Sequence, residues 1–78
     1  MYIIEFEDGV YSAKWKGDPG RTIKIENAQR FISKSKAKSK LKKVIKETKD
    51  FRKFPMAEVK WIDEISGKIS SLKVINGT

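Results

Sequence analysis

The chain has no cysteine and no histidine among its 78 residues. Without thiols it can build neither a disulfide nor a thiolate metal site, a composition that suits a reducing cytoplasm. Without imidazole it lacks the commonest general base and the commonest metal ligand. No apolar run approaches the ~18 residues that a membrane helix needs. The opening stretch, MYIIEFEDG, carries an acid at Glu5 and no basic region, so it does not read as a signal peptide. A cytoplasmic protein with no membrane partner is expected. Paired carboxylates at catalytic spacing are also missing, the plentiful serines have no histidine base, and no Ser-Lys dyad can be argued from spacing. Neither an enzyme nor a cofactor or metal site is expected.

Acidic residues are few in one place above all. Between positions 34 and 53, Glu47 and Asp50 stand against ten basic groups: Lys34, Lys36, Lys38, Lys40, Lys42, Lys43, Lys46, Lys49, Arg52 and Lys53. The net charge of the whole chain is +8, and this segment accounts for all of it. Of the eighteen basic residues, only Arg21, Arg30 and Arg52 are arginine. Arginine forms the bidentate contact to guanine, whereas lysine acts as a mobile point charge. A nucleic-acid contact made here would therefore be directed at phosphate, weakly sequence-specific and steeply salt-dependent.

The hydropathy pattern predicts one small domain over residues 1–78 with an α+β fold. It is an antiparallel four- or five-stranded sheet with one amphipathic helix packed on one face, in the order β-β-(β)-α-β-β. Residues 2–15 read as a hairpin around Asp8-Gly9, a type I′ turn signal. That turn sets Phe6 opposite Tyr11, Ile4 opposite Ala13 and Tyr2 opposite Trp15. It leaves Ile3, Glu5, Ser12 and Lys14 on a mostly polar face. TIKI, residues 22–25, reads as a third strand, with Ala28 and Phe31 anchoring the connection that follows. Ser33 is the N-cap candidate for a helix from about Lys34 to about Lys49. Ala37, Leu41, Val44 and Ile45 form its apolar stripe. Pro55 stops it, and Phe51 and Phe54 fold back on the core. Residues 57–75 read as a second hairpin turning at Ser66-Gly67. In that register Trp61 faces Leu72, Val59 faces Val74, and Lys60 faces Lys73 in solvent. Trp15 and Trp61 are both expected in the core.

The helix carries an unusual charge order. Lys34/Lys38, Lys36/Lys40, Lys38/Lys42 and Lys42/Lys46 are like-charge pairs at i,i+4. Lys34 and Lys36 also occupy the positive end of the helix dipole. An anion held by Ser33, Lys34 and Ser35 at that N-terminus would relieve the conflict. Lys36, Lys38, Lys40, Lys42, Lys43, Lys46, Lys49, Arg52 and Lys53 are the candidate contacts to nucleic acid or another polyanion. The plainer alternative is the solvated face of a lysine-rich helix. FRKFP, residues 51–55, interleaves aromatic and basic groups, which suits base stacking or, more simply, a pinned helix exit. GDPGR has a GxxG spacing but reads as a tight turn. SGKIS lacks the earlier glycine of a P-loop, since that position is Ile62. Apolar surface that a narrow helix leaves uncovered would suit a homodimer or a partner interface.

NAQRFISKSKAKSKLKK followed by AEVKWIDE resembles small uncharacterised phage and prophage accessory proteins. They share an N-terminal hairpin, a Ser-capped lysine-rich helix and a closing strand. Ala28, Phe31, Ser33, Ala37 and Leu41 are the matching positions, and the resemblance runs to about Asp63. The strand after Ser66-Gly67 departs from it. These are fold positions, so the resemblance implies an origin and a binding role but no site residue. Three roles follow. The first is a non-enzymatic polyanion binder, and the second an inhibitor or modulator docking on an acidic host protein, a defence component included. The third is a structural or assembly protein.

Overall fold

The computed structural model describes residues 1–15, 17, 19–47 and 56–71. Five strands form one antiparallel sheet: β1 (Tyr2–Glu7), β2 (Val10–Ser12), β3 (Arg21–Thr22), β4 (Glu58–Ile62) and β5 (Ile69–Ser71). Their spatial order is β3-β2-β1-β4-β5. One helix, α1 (Lys34–Glu47), lies against β1 and β4. The α+β architecture read from the sequence is therefore the one observed.

The first strand sits at the centre of the sheet and is buried on both faces. Ile3, Ile4 and Phe6 are fully buried, and Glu5 is nearly so. Adjacent apolar residues such as Ile3-Ile4 suit a strand covered on both sides rather than one with a wet face. On one face Ile4, Phe6, Phe31, Ala37, Val44 and Val59 form a cluster beneath α1. On the other, Ile3, Tyr11, Ala28 and Ile62 form a second cluster, with Ile25 and Ile69 packed against it. The expected polar face is thus a second core. Its cover is a single 3-10 turn, Ile25–Asn27, and the residues after it. Arg30 clamps this cover through its guanidinium. Nη1 donates to the carbonyls of Ile25 at 2.7 Å and Ala28 at 2.9 Å, and Nε donates to Glu64 at 2.8 Å.

A bulge accounts for the difference. Glu7 pairs with Val10 across Asp8-Gly9, as the turn predicts, but Glu5 then pairs with Tyr11. The extra residue on β1 shifts β2 by one position. It moves Tyr11 away from Phe6 and onto the Ile3 face. Within this turn Gly9 has a positive φ, +79°, and Asp8 does not, so the turn is not type I′, which needs two such residues. Trp15 does not reach Tyr2. It is 51% exposed, and its indole N–H donates to the Arg21 carbonyl at 3.1 Å. The third strand is shorter and earlier than TIKI predicts, and Ile23 is exposed. Gly20 is required here by space: a Cβ would run into the Trp15 carbonyl.

The second hairpin is also shifted. Trp61 pairs with Ser70 and Lys60 with Ser71, because the loop holds four residues rather than two. Asp63 organises it. Its amide donates to the Lys68 carbonyl at 2.9 Å, and its carboxylate accepts the Ile65 amide at 2.9 Å. These bonds, first Ile65 and then Ser66, hold its carboxyl below the ordinary carboxylate value. Leu72, Lys73 and Val74 lie outside the described residues, as do Phe51, Phe54 and Pro55.

The helix begins where the cap predicts. The Ser33 hydroxyl accepts the Lys36 amide at 3.2 Å, and the Ser33 carbonyl accepts the first helical bond, from Ala37, at 3.2 Å. Ala37 is fully buried and Val44 nearly so, while Leu41 is half-buried. Ile45, expected in the stripe, is 46% exposed at its edge. The described helix ends at Glu47, and residues 48 and 49 lie outside the described residues.

Candidate polyanion-binding helix

Packing one stripe of α1 on β1 and β4 fixes which lysines face out. At 3.6 residues per turn, Lys38, Lys42 and Lys46 form one row along the helix. Lys36 and Lys43, seven residues apart, form a second row beside it. All five are exposed. Lys34 and Lys40 flank the apolar stripe and are half-buried, so their stems cover its edge. Lys49, Arg52 and Lys53 lie outside the described residues.

The seven described helix lysines share one acid, Glu47, and the first turn holds none. Among the described residues, no helix lysine forms an ion pair with a carboxylate. The carboxylates that do form pairs are engaged elsewhere. Glu64 holds Arg30, while Glu5 and Glu58 hold Lys60, Glu58 at 3.6 Å. The four like-charge pairs along α1 together cost about 1–2 kcal/mol of helix stability at low salt. Ser33 spends its acceptor capacity on its own helix. The donors left at that turn are its hydroxyl proton and the amides of Lys34 and Ser35, which helix geometry leaves without an internal acceptor.

The acids gather in another region. Glu5, Glu7, Asp8, Met56, Glu58 and Lys60 line an open pocket of about 190 Å³. Glu5 and Glu58 sit directly opposite one another on β1 and β4. Like charges in that position repel, and the Lys60 ammonium, paired with both, offsets that repulsion. The hydrogen bond that Lys60 donates to the Glu5 carboxylate raises the Lys60 pKa above its ordinary value, against the opposing effect of burial. Burial raises the Tyr11 phenol on the same face, and Glu5 and Asp8 raise it further. Lys60 is therefore a structural ion and not the solvent-facing lysine that the sequence predicts. Among the described residues, no group of three or more His, Cys, Asp or Glu side chains could hold a metal. No helix among them is long and apolar enough to cross a membrane.

Sequence reasoning missed one feature beside the helix. Tyr2 pairs with Trp61 on β4, and the two rings meet edge to face with centroids 5.1 Å apart. On its other edge Tyr2 exchanges two backbone hydrogen bonds of 2.8 Å with Phe31, three residues before α1 begins. Trp61 remains 36% exposed rather than buried. Only strand order brings these residues together, and the sequence carries no local signal of it. Comparison with protein families, curated proteins and solved structures finds no match.

Proposed function

We propose that this is a non-enzymatic binding protein that contacts the phosphate backbone of nucleic acid through the outer face of α1. One observation carries this reading: five exposed lysines in two adjacent rows, none paired with a carboxylate among the described residues. Lysines that only solubilise a protein are ordinarily interspersed with acids, which relieves i,i+4 repulsion. Here the repulsion is retained. Phosphates along a strand would neutralise it, and counterions released from them would supply the binding free energy. Lys36, Lys38, Lys42, Lys43 and Lys46 make the contact, with Lys40 and the Lys34 end of the helix at its margin. Ser33, Lys34 and Ser35 offer one phosphate the donors of the first turn. A phage accessory role fits a small binder of this kind, on the resemblance of its fold positions.

A second reading, docking on an acidic host protein, draws on Ile32 and Ile45. Both are exposed near the lysines and could serve as apolar anchors. Binding of the parent to nucleic acid separates the two readings, and charge reversal assigns that binding to the helix. The variant Lys38→Glu/Lys42→Glu/Lys46→Glu, compared with the parent by fluorescence anisotropy on labelled random duplex, should lose binding while keeping its melting temperature within a few degrees. Parent protein that binds no nucleic acid at low salt would remove the first reading and direct the search to an acidic protein partner.

A further inference from the structure

We infer that Trp61, stacked edge to face on Tyr2 beside the start of α1, is a base-stacking platform that gives the helix a preference for single-stranded nucleic acid. The inference rests on the phosphate-binding role of the helix and adds the form of the strand it takes. Phe31, Tyr2 and Trp61 occupy three successive rungs across the helix-bearing face of the sheet. With strands about 4.8 Å apart, Trp61 lies about 10 Å from the residue that roots the helix. A strand whose phosphates follow the outer lysines at that end can therefore lay a base over the indole.

Among the described residues, the cross-strand neighbours of Trp61 explain why the indole is only partly covered. On the β1 side it meets the edge-to-face ring of Tyr2, which fixes its orientation. On the β5 side it meets Ser70, too small to cover an aromatic face. The result is a large ring, 36% exposed, held by a second aromatic and, among the described residues, open on one side. A core tryptophan would be covered, and a purely solubilising position would not carry one. Stacking needs an unpaired base with an open π-face, which a duplex interior does not offer. The phosphate term alone would not distinguish the two forms in this way.

The test uses full-length Trp15→Phe protein excited at the red edge of tryptophan absorption, so that Trp61 is the sole tryptophan emitter. An oligothymidylate, an oligouridylate and a mixed-sequence duplex are titrated separately. Both single strands should quench Trp61 emission and the duplex should not. Quenching by only one of them also supports the inference and names which of the two strands the platform takes. Adding Trp61→Leu, which keeps an apolar contact for Tyr2, should weaken single-strand binding about 5- to 150-fold and leave duplex binding unchanged. Trp61→Phe should restore most of it, a result that lost folding would not give. Single strands that bind through the lysines with no quenching and no effect of Trp61→Leu would overturn the platform and leave the helix reading intact. Absence of binding to all three probes would overturn both.

Discussion

Replacing Lys60 with methionine should cost this protein about 2–3 kcal/mol. The side chains of Lys60 and Glu5 are only 23% and 11% exposed, and Glu58 stands opposite Glu5 on the neighbouring strand. Breaking a fully buried ion pair by removing one partner costs about 3–5 kcal/mol, while an exposed pair is worth at most about 1. This pair lies between those limits and nearer the first. A chain of this size has a total stability of about 4–12 kcal/mol, so the loss is a large fraction of it. The expected fall in melting temperature is about 10–20 °C. Thermal and urea unfolding measured by circular dichroism would report it. The paired change Glu5→Gln/Lys60→Met should recover part of the loss, because it removes the stranded carboxylate. A fall below about 0.5 kcal/mol for Lys60→Met would place the pair with surface salt bridges and refute this view of β1 and β4.

Three further outcomes follow from the fold. Ile3→Ala should destabilise by about 2–5 kcal/mol, the cost of a core cavity, whereas a polar outer face would tolerate it within ~0.5 kcal/mol in the same urea assay. Gly20→Ala should be more damaging than Gly9→Ala, as read by melting temperature. The first meets the Trp15 carbonyl, while the second meets open space and carries only its positive-φ strain. Stability should also fall at alkaline pH. Lys60 and Tyr11 both have folded pKa values raised above their ordinary 10.5 and 10.0. The native state therefore holds protons that the unfolded chain releases. Their stabilisation is complete below about pH 10 and is lost as pH rises through the folded values. Lys60→Met/Tyr11→Phe should flatten that limb of a pH–stability curve.

Much of the fold is legible locally. Ser33 announces the helix start, because a serine ahead of an apolar 3.6-residue period can accept the N3 amide. Asp8-Gly9 places the first turn. The bulge between Glu5 and Glu7 is not legible, since nothing in YIIEFEDG marks which residue is unpaired. One extra residue was enough to carry Tyr11 to the other face. The second hairpin misleads for a related reason. Ser66-Gly67 has the chemistry of a two-residue turn, but the Asp63 carboxylate closes a longer loop on the Ile65 amide. Ile3-Ile4 did hold the sign of a strand buried on both sides. Its cover, the Ile25–Asn27 turn clamped by Arg30, lies too far along the chain for a local pattern to show. The lysine rows were legible as soon as the helix was, because the apolar stripe fixes the opposite face. Their lack of carboxylate partners among the described residues and the Tyr2–Trp61 pair needed strand order.

The salt dependence of nucleic-acid binding tests the lysine helix most directly. Each lysine that neutralises a phosphate contributes about −0.9 to the slope of log K against log salt on duplex DNA. If all five outer lysines engage, the slope is about −4 to −5, and affinity falls by about 10²–10³ between 50 and 200 mM salt. The account predicts a micromolar dissociation constant at the low end, a slope in that range, and a slope shallower by about one unit for each outer lysine replaced by glutamine. No binding at 50 mM, or a slope that lysine replacement leaves unchanged, would contradict it.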